Sequence, residues 1–317
     1  MKVLVTGSKG VVGSKLVEVL RDKGHEVFGV DLFHTNDKYG HGLGAVHSED
    51  YFRCDISEYR QIEGIIEHVK PDIVFNCAAE FGRWNGEHFY EQVWRSNAIG
   101  VKNIIRLQEA MGFKLVHCSS SEVYGDYRDV MYEDVLEKVP INQMNDYAIS
   151  KKVNEMQIKN SQIMHDTETV VVRIFNTYGP GEWYHPFRSV NCLFTYNLLH
   201  NRPIVVYKGH TRTSTYIYDC VNTISRIIDN FKSGEVYNIA SKNRHTIEEL
   251  VDLVLKFTGA DPSLVTYVDK LEVLTTKDKI VSPNKAERDL KHDNSVSLED
   301  GVRRTVEWMR EYYQKKR

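Results

Sequence analysis

Excess positive charge is the first thing this chain lacks. Its 317 residues carry a formal net charge of -3, so no general basic field is offered to nucleic acid. Cysteine is sparse and scattered. Cys54, Cys77, Cys118, Cys192 and Cys220 form no C-x-x-C pair and no His/Cys cluster at metal spacing, so neither a disulfide framework nor a zinc site is indicated. Long apolar runs are absent too, and Met1-Lys2 leads straight into Val3-Leu4-Val5 without a cleavage pattern, so the expectation is a cytoplasmic protein with no membrane partner. No internal repeat, low-complexity tract or linker divides the chain. What remains, at 41% hydrophobic content, is enough apolar material for a large core in one body or two closely joined ones.

Short apolar runs alternate with amphipathic segments: Val3 to Thr6, a helix from Val11, Glu26 to Val30, a helix from Arg60 to Val69, then Asp72 to Asn76. That alternation reads as βαβ units and an α/β fold with a doubly wound parallel sheet. Longer helices are expected from Phe89 to Met111, before a strand at Lys114 to Ser119, and from Asp146 to Met164, before a strand at Thr169 to Phe175. After Asn176-Thr177-Tyr178-Gly179-Pro180-Gly181 the pattern loosens into short elements, closing on a helix from Leu298 to Tyr313. Residues 1–176 are therefore expected to form a dinucleotide-binding domain. Residues 177–317 are expected to form a mainly substrate-binding part interleaved with it.

Three separated signals carry chemistry. In Thr6-Gly7-Ser8-Lys9-Gly10-Val11-Val12-Gly13, glycines follow a strand and open a helix, permitting a tight turn, close approach to a pyrophosphate and close helix packing. Asp31 stands 18 residues beyond Gly13 at the end of the second strand, where a carboxylate accepts from a ribose 2'-hydroxyl and repels a 2'-phosphate. NAD is thus expected over NADP. Asp55 is either a contact to the adenine amino group or an ordinary turn residue.

The second signal is Ser119-Ser120-Ser121-Glu122-Val123-Tyr124-Gly125, whose hydroxyls sit at the carboxyl edge of the sheet, where open α/β folds bind ligands. Tyr147-x-x-x-Lys151 is the third. Alone it means little, since about one chance match is expected among so many tyrosines, and Tyr312/Lys316 is such a match. On a helix, however, the spacing puts both side chains on one face, where an ammonium should lower the phenol pKa and make Tyr147 a general base.

In this order, together with Asn76-Cys77-Ala78-Ala79, Ser96-Asn97-x-x-Gly100, Arg173-x-Phe175-Asn176-x-Tyr178-Gly179-Pro180, Thr211-Arg212 and Tyr237-Asn238-Ile239, these motifs span nearly the whole chain. The chain resembles the extended short-chain dehydrogenase/reductase family, specifically its nucleotide-sugar epimerases, dehydratases and decarboxylases. The resemblance implies a Rossmann-type fold and a tightly held NAD contacted by Gly7, Gly10, Val11, Val12, Gly13, Asp31, Asp55, Ile56, Ala78, Ala79, Tyr147 and Lys151. It also implies oxidation of a nucleotide-diphosphate sugar at C4, with Tyr147 taking the O4 proton and Ser120 bonded to O4. Glu80 and Ser121 would border the sugar, and Asn176 and Arg212 would hold the diphosphate. Outside the resemblance, Arg212 reads as a solvated surface charge and Asn176 as a turn residue.

Within that family the residue that discriminates is Glu122, since simple 4-epimerases usually lack an acid there. A 4-keto group acidifies the C5 hydrogen, and a neighbouring carboxylate can remove it. NDP-hexose 4,6-dehydration is accordingly the leading expectation, with 4-epimerisation as the alternative. Decarboxylation of a UDP-glucuronate-like acid is also live, because Ser-Glu-Val-Tyr-Gly and Arg-x-Phe-Asn-Thr occur in those enzymes as well. For it, Arg83 or Arg188 is the candidate cation near C6, although each reads first as an ordinary exposed arginine. Dehydratases of dTDP-glucose typically carry Thr-Asp-Glu where this chain has Ser120-Ser121-Glu122, so a separate leaving-group acid is missing. Two long helices resembling the family's interface pair imply a homodimer. An idle NAD-sensing scaffold is the rival class.

Overall fold

The computed structural model describes residues 1–33 and 50–314. Its main sheet has seven strands: β1 (Lys2–Thr6), β2 (Glu26–Asp31), β3 (Tyr51–Arg53), β4 (Ile73–Asn76), β5 (Lys114–Ser120), β6 (Thr169–Ile174) and β7 (Val236–Ile239), ordered β7-β6-β5-β4-β1-β2-β3. The pairs β1–β2, β1–β4, β2–β3 and β4–β5 are parallel. Strand order reverses beside β1, which opens a crevice at the carboxyl ends of β1 and β4.

Four helices matter for the site: α1 (Val11–Asp22), α2 (Tyr59–Val69), α3 (Val101–Met111) and α4 (Asp146–His165). Leu16 and Leu20 of α1, Ile62 and Ile66 of α2, and Ile104 and Ile105 of α3 are fully or almost fully buried, as their helical spacing demands. Strands β1 and β4 bury nearly every residue, the mark of a sheet covered on both faces. The expected helix from Phe89 to Met111 is interrupted. A helical turn at Tyr90–Val93 passes into a π-helical stretch, Trp94–Gly100, before α3 begins. Two side-chain demands meet in that stretch. Asn97 is fully buried and bonded to Glu80 through both backbone groups, while a Cβ on Gly100 would lie 2.7 Å from Ile56 Cγ1.

The described residues cluster into two compact units. One comprises Met1–Val123, Asn145–Arg173 and Val221–Tyr237; the other comprises Tyr124–Met144, Ile174–Cys220 and Asn238–Arg317. The second unit uses small paired strands, Ile204–Tyr207 with Val265–Val268 and Thr211–Thr213 with Arg244–Thr246, beside helices α5 (Val190–Leu199), α6 (Ile247–Thr258) and α7 (Leu298–Gln314). Thr246 and Glu249 close a reciprocal capping box at the start of α6. Among the described residues no helix is long and apolar enough to cross a membrane.

Candidate active site

The turn after β1 is shaped by what cannot be there. Gly7 has φ +68°, and a Cβ on it would sit 2.6 Å from the Ala78 nitrogen. A Cβ on Gly13 would lie 2.1 Å from the Gly7 carbonyl oxygen. Side chains at either position would destroy the turn, so the glycines leave a cradle of bare backbone at the start of α1. Gly10 occupies the N-cap position, and among the described residues no side chain caps the first turn. The helix thus keeps its positive end and its N–H groups for an anion.

Asp31 ends β2 beside this cradle. Its carboxylate accepts from the Lys9 N–H and the Leu32 N–H, both at 2.8 Å. Burial pushes its pKa up, against the pull of these backbone bonds. The Phe33 N–H bonds the carboxylate as well, and its two oxygens, with about four acceptor sites between them, keep capacity for a ribose hydroxyl. Glycine cradle, open helix end and carboxylate together fit a dinucleotide. Val11 is buried and Val12 half-buried at the same turn. Asp55 accepts from both the N–H and the hydroxyl of Ser57, at 2.9 and 2.7 Å, which is the turn-residue role, with Ile56 buried after it.

At the other end of the crevice β5 delivers its serines. Ser119 donates to Glu155 at 2.6 Å, and Glu155 is held by Arg173 through both carboxylate oxygens, at 3.0 and 2.8 Å. That buried pair fixes the end of β5 against α4. Ser120 Oγ accepts the Glu122 N–H at 3.2 Å and is hydrogen-bonded to the Tyr147 phenol. The Glu122 carboxylate is close enough for its charge to disfavour the phenolate. Asn145 caps α4 by accepting from the Ala148 N–H at 2.8 Å, and this starts the helix so that Tyr147 and Lys151 share a face.

One electrostatic expectation is overturned here. The Lys151 ammonium was expected to lower the Tyr147 pKa, yet desolvation pushes the phenol up to about 12, with the Ser120 hydrogen bond opposing and the Glu122 charge adding to the rise. Lys151 is itself buried, which brings its pKa down to about 8, and its Nζ donates to the Cys118 carbonyl at 2.8 Å. Each group loses more to burial than it gains from its neighbours.

Ala78 and Ala79 are half-buried after β4, and the Ala78 N–H reaches Thr6 Oγ1 at 3.4 Å. Glu80 accepts from Asn85 at 2.9 Å, while Asn97, which holds the Glu80 backbone, also donates to Ser150 on α4 at 3.0 Å. This Glu80–Asn97–Ser150 link ties the segment after β4 to the helix carrying Tyr147. The sequence showed Asn97 as part of a motif without revealing that job. Arg83 opens a short helix, Arg83–His88, with one guanidinium nitrogen sequestered from solvent. Ser121 is buried beside Glu122.

In the second unit, Asn176 adopts φ +40° and donates to the Thr213 carbonyl at 3.1 Å, next to Arg212. Arg212 is only 7% exposed, so its reading as a solvated surface charge fails. It donates to the Thr211 and Lys277 carbonyls at 2.7 and 2.9 Å. Arg188 stacks over Trp183 at 4.9 Å, and its charge acts on buried Glu182. Among the described residues no group of three or more His, Cys, Asp or Glu side chains is arranged to hold a metal ion.

Comparison with known proteins matches residues 3–240 to a family model described as the NAD dependent epimerase/dehydratase family. The chain is 26% identical to protein CapI of Staphylococcus aureus, covering 99% of this chain and all of that one. It is 28% identical to a UDP-N-acetyl-alpha-D-glucosaminuronate decarboxylase of Bacillus cytotoxicus, covering 97% of each. In fold it resembles the UDP-glucose 4-epimerase of Thermotoga maritima, solved with UDP-glucose, with TM-score 0.87 and 24% identity over 99% of this chain and 100% of that one.

Proposed function

The chain belongs to the NAD dependent epimerase/dehydratase family, the nucleotide-sugar branch of the extended short-chain dehydrogenase/reductases, and from that premise we propose that it decarboxylates a UDP-hexuronic acid through a 4-keto intermediate. NAD is its cofactor, and its chemistry is modification of nucleotide sugars. The observation that carries the reading is the Glu122 carboxylate set against the Tyr147–Ser120 pair, with serine rather than a second acid at position 121.

In this mechanism Ser120 orients O4 and Tyr147 accepts its proton, while Lys151 supplies positive charge beneath the site. The Gly7–Gly13 cradle, Asp31, Tyr147 and Lys151 would hold NAD, which when bound would supply hydride acceptance at C4 and a positive charge to offset the desolvation of the phenolate. The 4-keto acid then loses carbon dioxide from C5. Glu122 relays a proton from solvent to the C5 enolate that remains, and Arg83, from the segment after β4, holds the carboxylate before it departs as carbon dioxide. Asn176 and Arg212 are assigned to the diphosphate, and Glu80 and Ser121 to the sugar border.

Dehydration at C4–C5–C6 is the second reading, because Glu122 is equally suited to remove the C5 proton. It ranks lower because expelling the C6 hydroxyl calls for an acid that residue 121 does not supply, whereas carbon dioxide leaves without one. Decarboxylase relatives tip the same way. Product masses from UDP-glucuronate, its N-acetylated analogue and a panel of NDP-hexoses test it. Loss of the mass of carbon dioxide supports decarboxylation, loss of the mass of water replaces it with dehydration, and an unchanged mass at a new retention time replaces it with epimerisation. We also assign a homodimer to the exposed apolar faces at Ile99, Met156 and Ile163, which are 54, 61 and 71% exposed. A monomer by light scattering would refute that assignment.

A further inference from the structure

Two of the five cysteines, 41 residues apart in sequence, meet at the carboxyl edge of the sheet. β4 and β5 run in register to Asn76 beside His117, and one residue further the Cys77 and Cys118 sulfurs lie 3.5 Å apart. Neither is in a disulfide. Adjacent strands hold facing α-carbons about 4.8 Å apart, inside the window of roughly 4.4–6.8 Å that a disulfide bridges, and closing the bond asks the sulfurs to approach by about 1.5 Å. Cys77 is half-buried and immediately precedes Ala78 and Ala79, whereas Cys118 is buried and its carbonyl holds Lys151 Nζ.

We propose that Cys77 and Cys118 form an oxidisable dithiol that closes to a disulfide with hydrogen peroxide and thereby weakens the cofactor site. The less buried Cys77 sulfur attacks one peroxide oxygen, breaking the O–O bond to give a sulfenic acid and one water. Cys118 then attacks the Cys77 sulfur and displaces its hydroxyl as a second water, so two thiols are oxidised and one peroxide is reduced. Hydrogen bonding from Cys77 and the Lys151 charge favour the Cys118 thiolate, against desolvation, and suit it to that second step. The new bond pulls together the segment that leads into Ala78 and the carbonyl that anchors Lys151. Cys54, Cys192 and Cys220, all buried, serve as internal controls.

The test treats the full chain with hydrogen peroxide and reads intact mass, peptide cross-links and NAD affinity, none of which depends on which sugar reaction is catalysed. The expected result is loss of the mass of two hydrogens, a Cys77–Cys118 cross-linked peptide, and NAD affinity lowered about tenfold or more, as displacement of a positioning segment costs, with all three reversed by dithiothreitol. Cys118→Ser should halt the chemistry at a Cys77 sulfenic acid that dimedone traps. A cross-link through any other cysteine, survival of all five thiols under peroxide, or a Cys77–Cys118 bond that leaves NAD affinity unchanged would overturn the proposal. Wild-type peptide mapping decides even if a variant folds poorly.

Discussion

The two ends of the crevice solve opposite problems. At the β1–α1 turn the working groups are backbone N–H groups, and the sequence contributes by leaving atoms out: Gly7 and Gly13 would place a Cβ within 2.6 and 2.1 Å of backbone. At the β5–α4 end the working groups are side chains forced into burial, where phenol and ammonium are displaced in opposite directions, to about 12 and about 8. One end offers shape and bare backbone N–H groups beside the buried carboxylate of Asp31. The other holds groups whose ionised forms are disfavoured until a charged partner arrives, which suits proton transfer coupled to cofactor binding.

Breaking the chemical end alone should give the largest effect. Tyr147→Phe removes the proposed proton acceptor and leaves the glycine cradle intact, so turnover should fall by about 10²–10⁴-fold while NAD affinity stays near wild type. Steady-state kinetics alongside cofactor titration reads both. A parallel loss of NAD affinity would merge the two ends into one cooperative unit.

Lys151 sharpens the contrast through stability. Its folded pKa of about 8 lies below the 10.5 of an ordinary lysine, so between those values the unfolded chain binds more protons and stability rises with pH. Below about pH 8 both states are protonated and the full penalty of burying the charge is present. In cofactor-free protein the wild-type stability minus that of Lys151→Met should climb across this window by at most on the order of 3 kcal/mol. Denaturant titrations at several pH values measure it, and a flat difference curve would mean that the ammonium is hydrated in solution.

Glu122→Gln divides the chemical end from within. The amide keeps the shape but cannot exchange a proton with C5, so product should drop by about 10²-fold while substrate still generates a bound NADH absorbance. Full product formation by this variant would point to 4-epimerisation, which needs only Tyr147 and rotation of the keto sugar.

The sequence made these ends legible to different depths for physical reasons. The cradle was readable because only glycine satisfies its geometry, and Tyr147 and Lys151 because helical spacing alone brings them to one face. Their pKa values were not readable, since desolvation depends on everything packed around them. The π-helical stretch at Trp94–Gly100 was hidden because Asn97 and Gly100 answer to Glu80 and Ile56, which are distant in sequence. Strand β3 has only three residues, and the second unit is assembled from strands of two to four, too short for period-two alternation to register. The meeting of Cys77 with Cys118 follows from the register of β4 and β5, which composition does not encode.

Asp31 offers the smallest and most discriminating change, at the shape-built end. Its carboxylate already braces the turn through Lys9 and Leu32, so removing it has two separable consequences. Loss of the brace should weaken NAD and NADP alike. On the reading that a ribose hydroxyl donates to Asp31, loss of the negative charge should weaken NAD and relieve the repulsion felt by a 2'-phosphate. Asp31→Ala should therefore raise the NAD dissociation constant about tenfold, in keeping with a lost hydrogen bond to a charged group, and shift preference toward NADP. Asp31→Asn keeps one of the two acceptors of the brace and removes the charge, so it should reproduce the change in preference with a loss of NAD affinity no greater than that of Asp31→Ala. Calorimetric titration of both cofactors into both variants decides the matter: if the ratio of affinities is unmoved, Asp31 shapes the turn and does not read the ribose.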